Sequence, residues 1–482
     1  MSSEPQNGSR LRLSLIEFLK AQRWFAGKAR GDFTLEVADS CTLSLSDGSY
    51  EILVLNVQYA PNSSEMYLLP VKVDSGDDRY RIREGLDSPE LRSLMLAQLA
   101  DQGELSTRRG RLLFRKHGDF GVDKATDSVK ISGEQSNTSL IYDRSLVFKL
   151  YRRLSPFPSV EQEILEALSK GRRSQTAPAL LGTVSYELED RLGGAGAYSA
   201  GLFTEYIPNR GDCWEYFVSE LTSLGSLLSG NDCKETNVPP GLSLDVSKLG
   251  EFTAQLHTEL GGLDGADELK AEPIYSADVQ KWNTQLFELA SETVNLAASA
   301  GLHGDQMKVL EDSVQLVRSG VALSWLDTLV SEKVFKIRVH GDYHLGQVFK
   351  VPGGFVAFDF EGEPARSREY RRAKYCSLKD VAGMFRSIRY AASYCSRALP
   401  SLEEQYSRVA DALGETYLSK YWESAASSRV KLVPSDYGSY AEALRFYVLE
   451  KTLYEVGYEL NNRPDWISIP LNELSRLLAI AK

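Results

Sequence analysis

A chain of 482 residues and 53.6 kDa, 43% hydrophobic and 25% charged, has the composition of a globular protein and the length of two or three domains with real cores. Its net charge of −11 excludes a generic nucleic-acid or anionic-membrane binder, since both need a basic surface. Five cysteines (Cys41, Cys213, Cys233, Cys376, Cys395), odd in number and without CxxC spacing, read as reduced thiols and not as a zinc site or disulfide framework.

The chain opens on the polar stretch "MSSEPQNGSR", with no apolar leader after it, and no apolar run approaches the roughly 18 residues of a membrane span. The expectation is a soluble, cytoplasmic protein. "LRLSLIEFLKAQRWFAGKAR" puts Leu15, Ile16, Phe18 and Leu19 on one face of a short helix, with Trp24 and Phe25 as core residues and not ligand contacts. "YEILVLNVQYA" and "EMYLLPVKV" read as strands around the turn "PNSSE", and residues 87–105 as helical. "RLLFRKH" and "SLIYDRSLVFKLYRR" are further strands, followed by the charged helix "SVEQEILEALSKG". "PALLGTVSYELED" and "GAYSAGLFTEYI" flank the glycine-rich turn "RLGGAGA". From about residue 212 the pattern is helical, with one β island at residues 338–364. The plan is α+β, a β-rich half followed by a helical half.

The island, "RVHGDYHLGQVFKVPGGFVAFDFEGEP", holds two of the five histidines. "KIRVH" and "GFVAFDF" read as two apolar strands, with "VPGG" as the turn between "VF" and "FVAF". One reading is a hairpin whose polar groups face water. The other is a site, because pairing around the turn would bring Asp342, Gln347 and Asp359 together. Such hard oxygen donors suit Mg²⁺, and a neighbouring carboxylate can orient a hydroxyl towards a metal-bound phosphate. A second tripeptide, His303-Gly304-Asp305, has Leu310 and Ala322 at the corresponding positions and reads as a loop entering a helix.

Phosphate chemistry also needs a counterpart in the β-rich half. The turn "EQSNTS", including Ser136, offers hydroxyls and backbone N–H groups to phosphates. Lys149 interrupts "LVFKL" as either an exposed alternate residue or the partner of Glu163 on the following helix. "FTEYIPN", with Glu205 and Ile207, lies where an inter-lobe hinge would hold adenine through its backbone.

With these segments in view, the sequence resembles the bacterial maltokinases, within the aminoglycoside-phosphotransferase-like branch of the protein-kinase-like superfamily. "QRWFAGKAR" is similar to the family's cap signature, "GEQSNTS" to its phosphate loop and "EYIPNRGDCWEY" to its hinge. "HGDYHLGQVF", "DFEGEPARS", "SLKDVAGMFRSIRYA" and "LEKTLYEVGYELNNRPDWISIPL" resemble its catalytic, metal, post-metal and C-terminal segments. The resemblance implies a bilobal kinase-like fold: a cap subdomain over residues 1–105, the rest of the N-lobe over 106–208 and a helical C-lobe over 209–482. It implies Asp342 as catalytic base, Gln347 and Asp359 as Mg²⁺ ligands, and Ser136, Lys149, Glu163, Glu205 and Ile207 at ATP. The reaction would be maltose plus ATP giving maltose 1-phosphate, feeding α-glucan synthesis from trehalose-derived maltose, with trehalose synthase as a partner.

"EKTLYEVGYELNNRPDW" spaces Lys451, Glu455, Tyr458, Glu459 and Asn462 at helical steps, with Tyr454 beside them. Such a run is either a solvated charged face or, as the resemblance implies, an acceptor site in which Lys451, Tyr454, Glu455 and Tyr458 meet the sugar. Two other functions remain open: a kinase for another sugar or amino sugar, and a non-catalytic partner of a glycan enzyme. The retention of Asp342, Lys149, Gln347 and Asp359 weighs against the last.

Overall fold

The structure is a computed structural model that describes residues 4–25, 27, 31–60, 63–74, 80–121, 127–131, 136–170, 173–188, 196–230 and 238–480. Contacts divide it into two compact units, residues 1–173 with 178–208, and residues 174–177 with 209–482. The first is built on antiparallel sheet and the second on helices. The turns "PNSSE" and "RLGGAGA" and the start of "EQSNTS" fall partly or wholly outside the described residues.

The first unit runs α1 (Glu4–Ala21), β1 (Thr34–Leu45), β2 (Gly48–Ala60), β3 (Ser63–Asp74), β4 (Arg81–Glu84), α2 (Pro89–Asp101), β5 (Glu104–Ser106), β6 (Gly110–Lys116) and β7 (Ser128–Lys130). It continues with β8 (Asn137–Tyr142), β9 (Leu146–Pro156), α3 (Val160–Ser169), β10 (Leu180–Leu188) and β11 (Gly196–Glu205). The strand order is β1-β2-β3-β9-β11-β10-β6-β5, and β3 meets β9 at a single register pair, Tyr67 opposite Arg153.

β2 explains why this sheet carries two cores. Successive side chains of a strand point to opposite faces. Leu53, Leu55 and Val57 pack with Leu15, Leu19, Trp24 and Phe25, while Ile52 and Val54 pack with Leu91, Leu96 and Leu99 of α2. Trp24 and Phe25 are thus core, as the sequence suggests. Residues 87–105 do not form one helix. α2 starts at Pro89, with the Ser88 hydroxyl accepting from Leu91 N at 3.3 Å, and ends at Asp101 because Gln102 turns left-handed at φ 50°.

The second unit contains α4 (Cys213–Gly230), α5 (Pro240–Gly261), α6 (Ser276–Ser299), α7 (Gly304–Arg318), α8 (Val321–Ser324), α9 (Asp327–Ser331) and α10 (Arg368–Arg372). α11 (Leu378–Ala398), α12 (Glu403–Ala425), α13 (Tyr437–Asn462) and α14 (Ser468–Ile480) complete it. His303 does precede a helix, α7.

The β island forms the hairpin expected between "VF" and "FVAF", but its earlier strand pairs elsewhere. The hairpin is β14 (Val348–Val351) with β15 (Gly354–Ala357), turned at Pro352 and Gly353 (φ 86°). The earlier run supplies β13 (Phe335–Ile337), which pairs instead with β12 (Glu272–Pro273) and β16 (Tyr375–Cys376). Apolar alternation marks a strand but carries no information about its partner. Among the described residues, Cys41, Cys213, Cys376 and Cys395 are buried free thiols, and no helix is long and apolar enough to cross a membrane.

Candidate active site

The loop between β13 and β14, residues 338–347, carries Asp342, and α11 holds that loop in place. Along one face of α11, Asp380, Gly383 and Ser387 recur at i, i+3 and i+7. Asp380 accepts from His340 N at 2.7 Å and Gly341 N at 2.9 Å, and Ser387 Oγ accepts from Leu345 N at 3.1 Å. Between them Gly383 admits the loop itself, since a Cβ there would lie 2.5 Å from the Tyr343 carbonyl oxygen. His257 of α5 reaches the same carboxylate, Nε2 to Asp380 Oδ2 at 3.2 Å. Burial works against ionisation of Asp380, but the hydrogen bonds and charge of His257, with the backbone donors, hold its carboxyl below the ordinary range.

The two histidines of the loop have separate tasks. His340 bridges to the next segment, Nε2 to Phe358 O at 2.9 Å. His344 Nδ1 accepts from Gly346 N at 3.1 Å, which leaves the ring proton on Nε2 and the imidazole neutral. Burial pushes its pKa below the ordinary histidine value, consistent with that tautomer.

The hairpin brings together what the sequence spaced apart. Gln347 Nε2 donates to Asp359 Oδ2 at 3.2 Å, and Phe358 N donates to Gln347 O at 3.1 Å. Asp359 sits at φ 65°, a left-handed conformation tolerated by few non-glycine residues and concentrated at functional sites. With the amide nitrogen on Asp359, the amide oxygen and the carboxylate make an all-oxygen donor pair of the kind Mg²⁺ prefers.

Asp342 itself, 18% exposed, is engaged from α13: Lys451 Nζ lies 3.3 Å from its Oδ1 and 2.9 Å from Glu363 Oε1. Arg366 completes the Glu363 pair at 3.2 Å, and Glu450 receives Lys379 at 2.7 Å and the Tyr370 hydroxyl at 2.7 Å. The Lys451 ammonium also lies 4.6 Å from the Tyr454 ring centroid. These groups enclose a cavity of about 10 Å³, the size of one water and far too small for a sugar ring.

The other two α13 residues named from the sequence sit elsewhere. Glu455 is bound to the buried Arg386, with Oε2 2.7 Å from Nη2 and 3.1 Å from Nε, and Tyr458 is 41% exposed beside Arg463. Beyond them lies a ring cluster that the sequence did not announce. Trp466 packs on Tyr390 (centroids 6.2 Å apart) and Tyr394 (5.3 Å), and Trp214 packs on both tyrosines (6.3 and 5.8 Å). The Tyr390 hydroxyl donates to the buried Glu459 at 2.6 Å. The i, i+3, i+7 spacing of Asp380, Gly383 and Ser387 was a legible signal for the loop clamp, but nothing in the spacing of Trp214, Tyr390 and Trp466 joins them.

In the first unit, Lys149 Nζ meets Glu161 Oε2 at 2.9 Å, and the Tyr151 hydroxyl donates to the same oxygen at 3.0 Å. The helix carboxylate on Lys149 is therefore Glu161, a correction to the expected Glu163. Helical residues two apart are rotated by about 200°. α3 buries Glu161 with Ile164, Leu165 and Leu168 against the sheet, which turns half-buried Glu163 away from that face. Ser136 is exposed at the entrance to β8; Glu205 closes β11, its N–H donating to Ala179 O at 3.0 Å, and Ile207 follows it.

Comparison with known proteins fits this architecture. Residues 18–81 match the maltokinase N-terminal cap domain. The chain is 26% identical over 371 residues to a glucosamine kinase of Mycolicibacterium smegmatis, covering 75% of this chain and 84% of that protein. It is 24% identical over 377 residues to a glucosamine kinase of Streptacidiphilus jiangxiensis, covering 74% and 76%. Among solved structures, a glucosamine kinase superposes with a TM-score of 0.65 at 21% identity, covering 96% of this chain and 99% of that one. Another, in complex with glucosamine, ADP and inorganic phosphate, gives 0.63 at 20% identity, covering 93% and 94%. Residues 18–81 thus resemble a maltokinase cap, and the chain as a whole shares the fold of those glucosamine kinases.

Proposed function

We propose that the chain transfers the γ-phosphoryl group of ATP to a sugar hydroxyl, and that the sugar is maltose, phosphorylated at its anomeric position. The observation that carries the reading is the meeting of Gln347 and Asp359 at 3.2 Å beyond a clamped loop that bears Asp342. Gln347 and Asp359 would hold Mg²⁺, which when bound neutralises charge on the phosphates. Lys149, steadied by Glu161, would offset phosphate charge, with Ser136 at the phosphate loop and the backbone around Glu205 and Ile207 at the adenine. Asp342 orients the acceptor hydroxyl and takes its proton as the new O–P bond forms and the bond to the departing ADP breaks. The proton then passes to solvent. The Trp214, Tyr394 and Trp466 rings, with Tyr454 and Tyr458, would offer the apolar faces that sugars stack on.

The maltokinase cap supports maltose, and on this reading the product feeds α-glucan synthesis, with trehalose synthase the supplier of maltose. A second reading, phosphorylation of glucosamine, is favoured by the two glucosamine kinases to which the chain is similar. Against it stands Lys451, whose ammonium on Asp342 would repel a second ammonium on the substrate. Product analysis with ATP and a panel of maltose, glucose, trehalose and glucosamine decides. Maltose 1-phosphate as the main product supports the reading, and turnover of glucosamine alone refutes it.

A further inference from the structure

A lysine on a C-terminal helix, beside a sugar-kinase loop, invites the role of sugar ligand. The contacts of Lys451 point elsewhere. Its ammonium has three donors, and two are committed, to Asp342 Oδ1 at 3.3 Å and Glu363 Oε1 at 2.9 Å. Glu363 is 4% exposed and cannot follow a moving partner, because Arg366 holds it at 3.2 Å. Arg366 is itself fixed over the Tyr370 ring at 4.6 Å and lies 3.9 Å from Glu450, which Lys379 binds at 2.7 Å. The result is a row of alternating charges, Asp342, Lys451, Glu363, Arg366, Glu450 and Lys379, anchored in four segments: the 338–347 loop, the stretch between β15 and α10, α11 and α13. The cavity among them admits a water and no sugar. Burial opposes the charge on Lys451, yet Glu363 and Asp342 raise its pKa well above the ordinary lysine value, so it stays a cation.

We propose that Lys451 is a positioning residue for Asp342: it occupies Oδ1, and thereby presents Oδ2 as the oxygen that receives the acceptor hydroxyl. Oδ2 is 3.8 Å from His344 Nε2, beyond hydrogen-bond reach, and so is the oxygen those neighbours leave unheld. Lys451 neither gives nor takes a proton. A carboxylate held by one oxygen can rotate only about that anchor, which narrows the approach of the acceptor and favours a reactive arrangement. The idea rests on the reading of Asp342 as the base.

The test is a double-mutant cycle on the full chain with ATP and the sugar it accepts. Lys451→Met should lower kcat about 10- to 100-fold while the KM of both substrates stays within about 3-fold. In the Asp342→Asn background the same substitution should cost no more than about 3-fold, because residues that act as one unit are not additive. If the two effects multiply, or if Lys451→Met raises the sugar KM at unchanged kcat, the proposal is overturned. Lys451→Met alone strips a buried partner from Glu363, so Lys451→Met/Glu363→Gln is the variant that keeps the interior neutral and the fold intact. It should show the same kcat loss, and wild-type kcat in it would also overturn the proposal. Wild-type turnover by Asp342→Asn would be a different result, removing the base reading itself.

Discussion

Replacing Asp380 by alanine strips the acceptor from three donors at once: His340 N at 2.7 Å, Gly341 N at 2.9 Å and His257 Nε2 at 3.2 Å. Hydrogen bonds to a charged group contribute about 1.5 to 3 kcal/mol each, and a buried donor left without a partner loses about 1 to 3 kcal/mol. The three share one carboxylate and do not sum fully, so the loss should be about 4 to 6 kcal/mol. Asp380→Asn keeps the shape and one acceptor oxygen but turns an NH₂ towards a donor, and should cost about 2 to 4 kcal/mol. Urea unfolding of the full chain at pH 7 measures both, beside kcat under saturating substrates. The kinetic effect should exceed what reduced folded fraction explains, because the two freed N–H groups belong to the loop that carries Asp342. The lowered pKa of Asp380 fixes the sign of the pH effect. A depressed carboxyl contributes stability that is full above its unfolded value of about 3.9 and is lost as pH falls through the lower folded value. In Asp380→Ala that acid-dependent part should vanish. An Asp380→Ala protein within about 1 kcal/mol of wild type, with normal kcat, would refute the clamp.

Asp359→Asn should nearly abolish phosphoryl transfer with little change in Tm, whereas Gln347→Ala should leave measurable activity that rises with added Mg²⁺, since a neutral amide binds the ion less strongly than a carboxylate; the reverse ranking sinks the assignment. Glu161→Gln should cut kcat at saturating ATP by at least about 10-fold and Glu163→Gln by less than about 2-fold, because Glu161 is the carboxylate that meets Lys149 at 2.9 Å from the buried face of α3. Equal effects in a steady-state assay would count against the pairing. Glu363, whose pKa is lowered to about 2 because Lys451, Lys379 and Arg366 outweigh its burial, adds stability that is full above about pH 4.5 and lost as pH falls towards 2. The linked free energy is on the order of 3 kcal/mol, and acid titration of the unfolding midpoint in Glu363→Gln should lack that component.

Much of the plan was legible because local rules suffice for it. Short apolar runs bounded by polar turns, as in "YEILVLNVQYA" and "RLLFRKH", mark strands. "VPGG" turned a hairpin as proline followed by glycine does, and that hairpin alone drew Gln347 to Asp359. The sequence by itself therefore determined the α+β class, the β-rich and helical halves, and the spacing of the metal-type donors. Only the tertiary structure decided which partners those elements take. β13 went to β12 and β16 because strand pairing is a long-range choice among backbones that all offer the same donors and acceptors. Lys149 met Glu161 because the buried face of α3, and not the order of residues, sets which carboxylate turns inward. Lys451 lay within a regular helical stripe that reads equally as solvent-facing or sugar-facing. Its attachment to Asp342 and Glu363, 109 and 88 residues away in the chain, comes from packing that no local pattern encodes.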